Sequence, residues 1–296
     1  MTRLVIFDLD GTLLDTVQDL GDATNYALRM CGFPERPLGD YYQLVGRGIY
    51  NLFRSAMPSP VATVVAQASA PAAPAVPAAP ATPAAPATPA VAGTIVSASA
   101  SSASPEDAAD SLREDMVEKM ASYFLPYYDA HMCDYTRPYD GIPELLRSLA
   151  AAGIQIALAS NKYQEGAEKI ISHFFPDIPF FKVLGQRDGL PIKPDPQVVF
   201  QIMEAAASPG STSATSTSAV PPSEPASPSP DPGSLHFTSD EVTYVGDSNV
   251  DMQTGLNAGV KTIGVTWGFR DRAELEAYHP FAVVDTIEEL KDLLLN

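Results

Sequence analysis

The chain has 296 residues, of which 45% are hydrophobic, and its formal net charge at pH 7 is -18. This length and hydrophobic content suffice for a large buried core in one or two domains. The negative charge argues against nucleic acid and acidic membrane surfaces as partners, because both attract clustered Lys and Arg. The same charge repels an anionic substrate, so a bound cation or a local basic side chain would have to attract it.

Cysteine usage and the lack of long apolar segments indicate the compartment. Two cysteines, Cys31 and Cys133, do not make a disulfide framework, and small packing residues are the ordinary interpretation. The first strand begins within a few residues of Met1, which leaves no room for a signal peptide. No apolar segment approaches the roughly 20 residues of a spanning helix. We therefore expect a cytoplasmic protein without membrane or nucleic-acid partners, and a weak homo-oligomer is compatible with the sequence.

The first predicted element is a strand over the apolar residues 4–7, followed directly by Asp8, Asp10 and Thr12. Side chains alternate along extended backbone, so the two aspartates project to the same side. Two carboxylates beside a glycine that permits a turn suit covalent phosphoryl transfer, in which one aspartate attacks phosphorus and the other moves the proton. The competing interpretation is an ordinary acidic turn after a strand, because Asp and Gly also favour turns.

Between Thr16 and Arg137 no strand is predicted, and apolar residues recur at helical spacing. This periodicity is found over residues 20–30, 41–57 and 112–124. A helical bundle inserted after the first strand is expected. Within it, an arginine flanked by two glycines, Arg47, either binds an anionic group through its planar guanidinium or lies on the surface in a turn.

Two low-complexity tracts interrupt the chain, at about residues 58–105 and 208–236. The first is composed mainly of Ala, Pro, Ser, Thr and Val, and the second is rich in Ser, Thr and Pro. Such compositions bury too little apolar surface to fold, and prolines prevent helix continuation and strand pairing, so both tracts are expected to be disordered. Neither tract has a basic residue beside its prolines, which favours an inert spacer over a peptide ligand.

The rest of the chain alternates between predicted strands and helices. Strands are predicted over residues 154–159, 181–184, 242–245, 262–266 and 281–284, and a helix over 143–152. The strands are short and continuously apolar, as expected for strands buried on both faces. This alternation predicts an α/β fold with a doubly wound, Rossmann-like parallel sheet. Ligands bind such sheets beyond the carboxyl ends of the strands, where Asp8, Ser160 and Asp247 would meet.

Four motifs in chain order carry a family resemblance. They are Asp8-Leu9-Asp10-Gly11-Thr12, Leu158-Ala159-Ser160-Asn161, Lys193-Pro194-Asp195-Pro196 and Val245-Gly246-Asp247-Ser248-Asn249-Val250-Asp251. Together they resemble the signature motifs of the haloacid dehalogenase superfamily, and most closely its phosphoglycolate phosphatase branch. The resemblance covers nearly all of the chain outside the two tracts. It implies an α/β catalytic core over residues 1–15 and 137–296 and a helical cap domain over 16–136.

The resemblance also implies an activity. The expected enzyme is a Mg2+-dependent phosphomonoesterase that hydrolyses a small phosphorylated metabolite, 2-phosphoglycolate, through an aspartyl phosphate on Asp8. Asp10 would be the general acid and base, and Lys193 would stabilise the transferring phosphoryl group. The implied metal ligands are the carboxylates of Asp8 and Asp247 and the main-chain carbonyl of Asp10. Asp251 would bind the metal through water or hold Lys193.

Phosphate binding is expected from Thr12, Ser160 and Asn161, the last two at a helix start, where a simple helix cap is the alternative. Arg47 would contact a carboxylate of the substrate. The alternatives are a phosphatase for another small phosphate or sugar phosphate, a phosphosugar mutase of the same fold, and a catalytically silent scaffold. Gly246 and Asp251 favour hydrolysis, since the mutases have an acidic residue before the fourth-motif aspartate and lack the later one.

Overall fold

The computed structural model describes residues 1–58, 105–206 and 237–296, without the side chains of residues 105–109 and 206. The strands are β1 (Leu4–Phe7), β2 (Leu14–Asp15), β3 (Arg137–Pro138), β4 (Gln155–Tyr163), β5 (Phe180–Gln186), β6 (Val242–Gly246), β7 (Lys261–Val265) and β8 (Ala282–Val284). The helices are α1 (Val17–Met30), α2 (Leu38–Leu44), α3 (Ile49–Ala56), α4 (Pro105–His131), α5 (Ile142–Ala151), α6 (Gln164–Phe174), α7 (Gln197–Ala206), α8 (Asn249–Ala258), α9 (Arg272–Glu276) and α10 (Ile287–Leu295). The low-complexity tracts predicted at about 58–105 and 208–236 lie almost entirely outside these residues.

A six-stranded parallel sheet in the order β5-β4-β1-β6-β7-β8 forms the core. All six strands predicted from apolar runs are present, and the predicted fold class is confirmed. Strand β1 lies in the middle of the sheet, with Phe7 aligned with Leu158 of β4 and Val245 of β6. The residues that follow β1 and β6 therefore emerge side by side at the carboxyl edge.

Strand β1 is buried on both faces, which explains its uninterrupted apolar sequence. Val5 and Phe7 belong to a hydrophobic cluster that includes α5 and α6, whereas Leu4 and Ile6 belong to a second cluster that includes α7. All four side chains are completely buried. Covering helices on both faces are what a doubly wound parallel sheet requires.

Helices α1 to α4 occupy the sequence between β2 and β3. Phe53 of α3 packs edge to face on Phe124 of α4, with ring centroids 5.1 Å apart. The predicted helical segment 41–57 is two helices, because Gly46 and Gly48 have φ angles of +116° and +79° and form a turn between them. At the base of this region β2 and β3 pair antiparallel. The assignment of residues 16–136 as a separate cap domain stays a prediction.

Two smaller features complete the fold. Cys31 is buried, Cys133 is half-buried, and both are free thiols. Within the residues that the structure describes, none of the helices combines the length and apolar character needed to cross a membrane.

Candidate active site

The carboxyl edge of the sheet carries a cluster of buried carboxylates. Asp8 directly follows β1, and Asp247 directly follows β6. Asp251 lies in the first turn of α8, one helical turn beyond Asp247. One oxygen from each of these three side chains lies within 4.8 Å of the others. The structure thus brings Asp8 together with Asp247 and Asp251, which are more than 200 residues away in sequence, at the edge where the topology predicts a site.

Lys193 supplies positive charge to this cluster. Its Nζ lies 2.8 Å from Asp8 Oδ1 and 2.7 Å from Asp251 Oδ1. It also donates a 3.1 Å hydrogen bond to the Tyr244 hydroxyl. Burial opposes its charge, but Asp251 and Asp8 outweigh that effect and hold the pKa of Lys193 well above its ordinary value. The side chain is therefore a fixed, charged ammonium beside Asp8.

The carboxylates themselves carry more negative charge than Lys193 offsets. Burial and the neighbouring Asp251 raise the pKa of Asp8 well above its ordinary value, against the effect of Lys193. Burial and Asp251 also raise the pKa of Asp247 to about 7. Two of the three buried carboxylates contact the Lys193 ammonium, and together the three offer oxygen ligands that fit a hard divalent cation such as Mg2+. Binding a cation there would relieve the repulsion among the carboxylates.

Both oxygens of Asp247 are held in place. Thr12 Oγ1 donates a 2.9 Å hydrogen bond to Asp247 Oδ1, and the Phe269 amide donates a 2.7 Å hydrogen bond to Oδ2. Gly268 packs so closely that a Cβ there would lie 2.3 Å from the Asp247 Cβ. Thr12, predicted as a phosphate contact, thus uses its hydroxyl to orient Asp247. The loop after β7 was not identified from the sequence, because its role depends on contacts between distant segments.

Asp10 stands slightly apart from the cluster and has its own partners. Its Oδ1 accepts a 2.7 Å hydrogen bond from Thr16 Oγ1 and lies 2.9 Å from Lys162 Nζ. Lys162 Nζ also donates a 2.9 Å hydrogen bond to the hydroxyl of Tyr128 in α4. Sequence analysis did not identify Lys162. The available signal was its position two residues after Ser160, which places both side chains on one side of extended backbone.

Ser160 and Asn161 were predicted at a helix start, and that part of the prediction is wrong. Strand β4 continues through Tyr163 and α6 begins at Gln164, because the backbone stays extended beyond the paired register with β1. Ser160 Oγ accepts a 3.2 Å hydrogen bond from the Lys162 amide. The Asn161 side chain bonds the Lys193 amide and carbonyl and the Gly46 carbonyl, at 2.9, 3.1 and 3.0 Å. Asn161 thereby fixes the Lys193 segment and the 46–48 turn.

A cleft that is partly open to solvent lies between the sheet edge and the helices. Asp8, Asp10 and Ser160 line it from the sheet side, and Leu20 and Leu52 from the helical side. The lining also includes Gly46, Gly48, Lys162 and Tyr128. Arg47 lies between the two glycines, but the residue is exposed and does not line the cleft. Of the predicted site residues, four line the cleft, namely Asp8, Asp10, Ser160 and Asn161. Lys193, Asp247, Asp251 and Thr12 belong to or bond the carboxylate cluster that includes Asp8, and Arg47 is part of neither group.

A parallel sheet with a buried acidic site at its carboxyl edge is the architecture of the Rossmann-like enzymes. The family model described as "Hydrolase: haloacid dehalogenase-like hydrolase" matches residues 2–259, and the chain belongs to this family. It is 24% identical over 296 residues to a phosphoglycolate phosphatase of Psychrobacter arcticus, covering 99% of this chain and 96% of the relative. It is 26% identical to a phosphoglycolate phosphatase of Pseudomonas putida, covering 98% of this chain and 79% of the relative.

Solved structures agree on the fold. A crystal structure of a predicted phosphoglycolate phosphatase from Haemophilus somnus superposes with a TM-score of 0.67 at 20% identity, covering 99% of this chain and 97% of that one. A crystal structure of CbbY from Rhodobacter sphaeroides in complex with phosphate superposes with a TM-score of 0.57 at 16% identity, covering 98% and 96%. The family resemblance inferred from the four motifs is confirmed.

Proposed function

We propose that the protein is a Mg2+-dependent phosphatase that hydrolyses 2-phosphoglycolate through an aspartyl phosphate on Asp8. The observation that carries this proposal is the position of Asp8 in the cleft wall, with the fixed ammonium of Lys193 2.8 Å from one of its oxygens. A carboxylate so placed can attack phosphorus while Lys193 stabilises charge on the transferring phosphoryl oxygens. Family membership and the names of the relatives support the same reaction.

The residues that would hold Mg2+ are Asp8 and Asp247 through carboxylates and Asp10 through its main-chain carbonyl. When bound, the cation would offset the repulsion between the anionic nucleophile and the anionic substrate. Asp251 Oδ1 accepts a hydrogen bond from Lys193, and Asp251 Oδ2 accepts hydrogen bonds from the hydroxyl and amide of Ser248. These contacts favour a role in holding Lys193 rather than direct metal binding.

Asp10 is the proposed general acid and base. In the first step it would protonate the leaving alkoxide oxygen as the bond from that oxygen to phosphorus breaks. In the second step it would take a proton from the water that attacks the aspartyl phosphate, which returns Asp8 and releases phosphate. Thr16 and Lys162 hold the Asp10 carboxylate through contacts of 2.7 and 2.9 Å, so it is oriented before substrate arrives.

The cleft favours a small substrate with a second anionic group. Lys162 is the cationic residue in the described lining, and its side chain is only 2% exposed. A substrate whose phosphoryl group meets Asp8 and Lys193 would present a nearby carboxylate to Lys162. Phosphoglycolate has this arrangement of charges. Arg47, predicted for the same role, would have to turn inward from its exposed position, and its contribution stays a prediction.

Residue 246 favours a hydrolase over a mutase of the same fold. A Cβ at Gly246 would lie 2.2 Å from the Asp251 Cβ, so an acidic side chain at position 246 cannot coexist with Asp251 in this arrangement. The mutases expected from the resemblance have the acidic residue and lack the later aspartate. The pairing of Gly246 with Asp251 therefore supports hydrolysis.

The experiment that tests the proposal is an assay of the purified protein with Mg2+ against a panel of small phosphate monoesters. We expect release of inorganic phosphate, the highest kcat/KM for phosphoglycolate, and loss of activity on addition of EDTA. Preference for a neutral-tailed ester would overturn the substrate assignment. Undiminished activity in EDTA would overturn the metal-dependent mechanism, and inactivity on the whole panel would favour a non-enzymatic scaffold.

A further inference from the structure

Arg270, in the loop after β7, joins this part of the core to helix α2. Its Nη2 donates hydrogen bonds of 3.1 Å to the carbonyls of Gln43 and Val45, and its Nη1 donates to the carbonyl of Tyr42. The side chain is only 6% exposed, and its Nε lies 3.4 Å from Glu274 Oε1. The buried guanidinium thus binds three main-chain carbonyls at the carboxyl end of the short helix α2.

This contact has a clear physical basis. The last carbonyls of a helix have no intrahelical partner, and a cation at the carboxyl end also complements the helix dipole. Arginine is suited to this position because its planar fork presents several donors at once. An edge-to-face contact between Phe269 and Tyr42, with ring centroids 5.7 Å apart, adds a second link between the same loop and α2.

Helix α2 leads directly into the wall of the cleft. Val45 ends the helix and Gly46 and Gly48 follow, and all three line the cleft. The Gly46 carbonyl accepts a hydrogen bond from Asn161, which also holds Lys193. The position of α2 therefore determines where this wall stands relative to the sheet edge.

The same loop also determines the orientation of Asp247. The Phe269 amide, adjacent to Arg270, donates the 2.7 Å hydrogen bond to Asp247 Oδ2. Trp267 Nε1 donates a 3.1 Å hydrogen bond to the Thr12 carbonyl, and the Thr12 hydroxyl bonds the other oxygen of Asp247. A displacement of the Phe269–Arg270 peptide would disturb the Asp247 carboxylate and α2 together.

We propose that Arg270 is a positioning residue that couples the placement of α2 over the cleft to the orientation of Asp247, and hence to cation binding. This inference rests on the proposed function, in which Asp247 is a metal ligand. The coupling is reciprocal, so a cation that orders Asp247 also favours the observed placement of α2 and the cleft wall. Arg270 itself does not line the cleft.

The test uses Arg270→Gln, with Arg272→Gln as the matched control. Arg272 lies two residues further on, is 40% exposed, and pairs with Glu276 and Asp285 rather than with α2. Trp267 is the single tryptophan of the chain and lies in the same loop, so its fluorescence reports on the loop without any need for turnover. Mg2+ is titrated into each protein, and the Mg2+-dependent rise in Tm is measured as a second readout.

We expect Arg270→Gln to weaken Mg2+ binding by about fivefold or more, the lower range of a typical coupling between sites, and to raise KM for phosphoglycolate. The direction of the change in Mg2+ affinity distinguishes the coupling from a simple charge effect. Loss of a positive charge near Asp247 would by itself strengthen cation binding, whereas loss of the coupling weakens it. Arg272→Gln should leave both values unchanged. An unchanged or tighter Mg2+ midpoint in Arg270→Gln would overturn the coupling.

If Arg270→Gln does not fold, Arg270→Lys decides the question. Lysine keeps the charge but lacks the fork that spans several carbonyls, so the coupling predicts weaker Mg2+ binding in a protein that still folds, with a lower Tm. A folded Arg270→Lys protein that binds Mg2+ with wild-type affinity would overturn the coupling. A wild-type protein that shows neither a fluorescence change nor a Tm increase with Mg2+ would instead overturn the metal site itself.

Discussion

Lys193 Nζ lies 2.8 Å from Asp8 Oδ1, and both side chains are buried at the carboxyl edge of the sheet. A second carboxylate, that of Asp251, lies 2.7 Å from the same ammonium. Loss of one partner from a buried ion pair normally leaves an uncompensated charge, at a cost of about 3–5 kcal/mol. Here Lys193 keeps Asp251 when Asp8 is neutralised, so the function of Asp8 can be tested separately from folding.

Asp8→Asn should abolish turnover while the protein still folds. The amide is a poor nucleophile and a weaker metal ligand, but it has nearly the volume of the carboxylate it replaces. Phosphate release and Tm are measured on the same preparation. Turnover near that of the wild type would contradict the assignment of Asp8 as nucleophile.

Asp10→Asn should lower kcat by about 10² to 10⁴ fold, the usual contribution of general acid-base catalysis. Asp8 remains intact in this variant, so the two aspartates can be distinguished by trapping. Beryllofluoride, an analogue of the phosphoryl group, should still form an adduct on Asp8 in Asp10→Asn and not in Asp8→Asn. An adduct on Asp10 would reverse the two roles.

Without a divalent cation, Tm should fall as the pH rises from 5 to 8. Burial and Asp251 raise the pKa of Asp247 from 3.8 to about 7, and the pKa of Asp8 is raised in the same direction. Between pH 3.8 and about pH 7, Asp247 keeps its proton in the folded protein and has released it in the unfolded chain. The stability due to this proton is present below pH 3.8 and is lost as the pH rises through 7.

The measurement is a set of thermal melts in EDTA across this range, with a predicted decrease of about 5 °C or more. Asp247→Asn, which cannot titrate, should show a smaller decrease, and Mg2+ should raise the Tm of the wild type most at the alkaline end. A Tm in EDTA that rises with pH would refute the predicted protonation of the cluster.

Gly268→Ala should disrupt the site. A Cβ at this position would lie 2.3 Å from the Asp247 Cβ and 2.4 Å from the Gly11 carbonyl oxygen, so the loop or Asp247 must move. Gly39→Ala is the control, because no atom lies within 4 Å of a Cβ at this exposed helical position. The control should be neutral or more stable by about 0.5–1 kcal/mol. Activity and Mg2+ affinity at wild-type levels in Gly268→Ala would contradict the tight packing around Asp247.

Lys162→Gln should lower kcat/KM for both phosphoglycolate and p-nitrophenyl phosphate, because Lys162 also holds Asp10. The loss should be larger for phosphoglycolate than for p-nitrophenyl phosphate, because only phosphoglycolate has a second anion for the ammonium. A charge-assisted hydrogen bond of about 1.5–3 kcal/mol corresponds to roughly a ten- to hundredfold difference between the two substrates. Arg47→Ala is measured in parallel, and we expect it to have the smaller effect because Arg47 is exposed. A larger selective loss in Arg47→Ala would instead indicate that Arg47, rather than Lys162, contacts the substrate carboxylate.

Local sequence patterns determined the framework of the protein. The apolar runs of the six core strands and the four motifs depend on neighbouring residues, because alternation and burial are properties of each segment. The convergence of Asp8, Ser160 and Asp247 could be inferred as well, since parallel strands bring their carboxyl ends to one edge.

Only the tertiary structure decided which distant groups meet. The contact of Lys162 with Asp10 requires β4 to remain extended beyond Ser160, and the contact of Arg270 with α2 joins segments more than two hundred residues apart. The Thr12 hydroxyl was equally available for a substrate or for Asp247, and packing of the loop after β7 determined its partner. Such pairings depend on how several elements pack against one another, and periodicity within one segment contains no information about them.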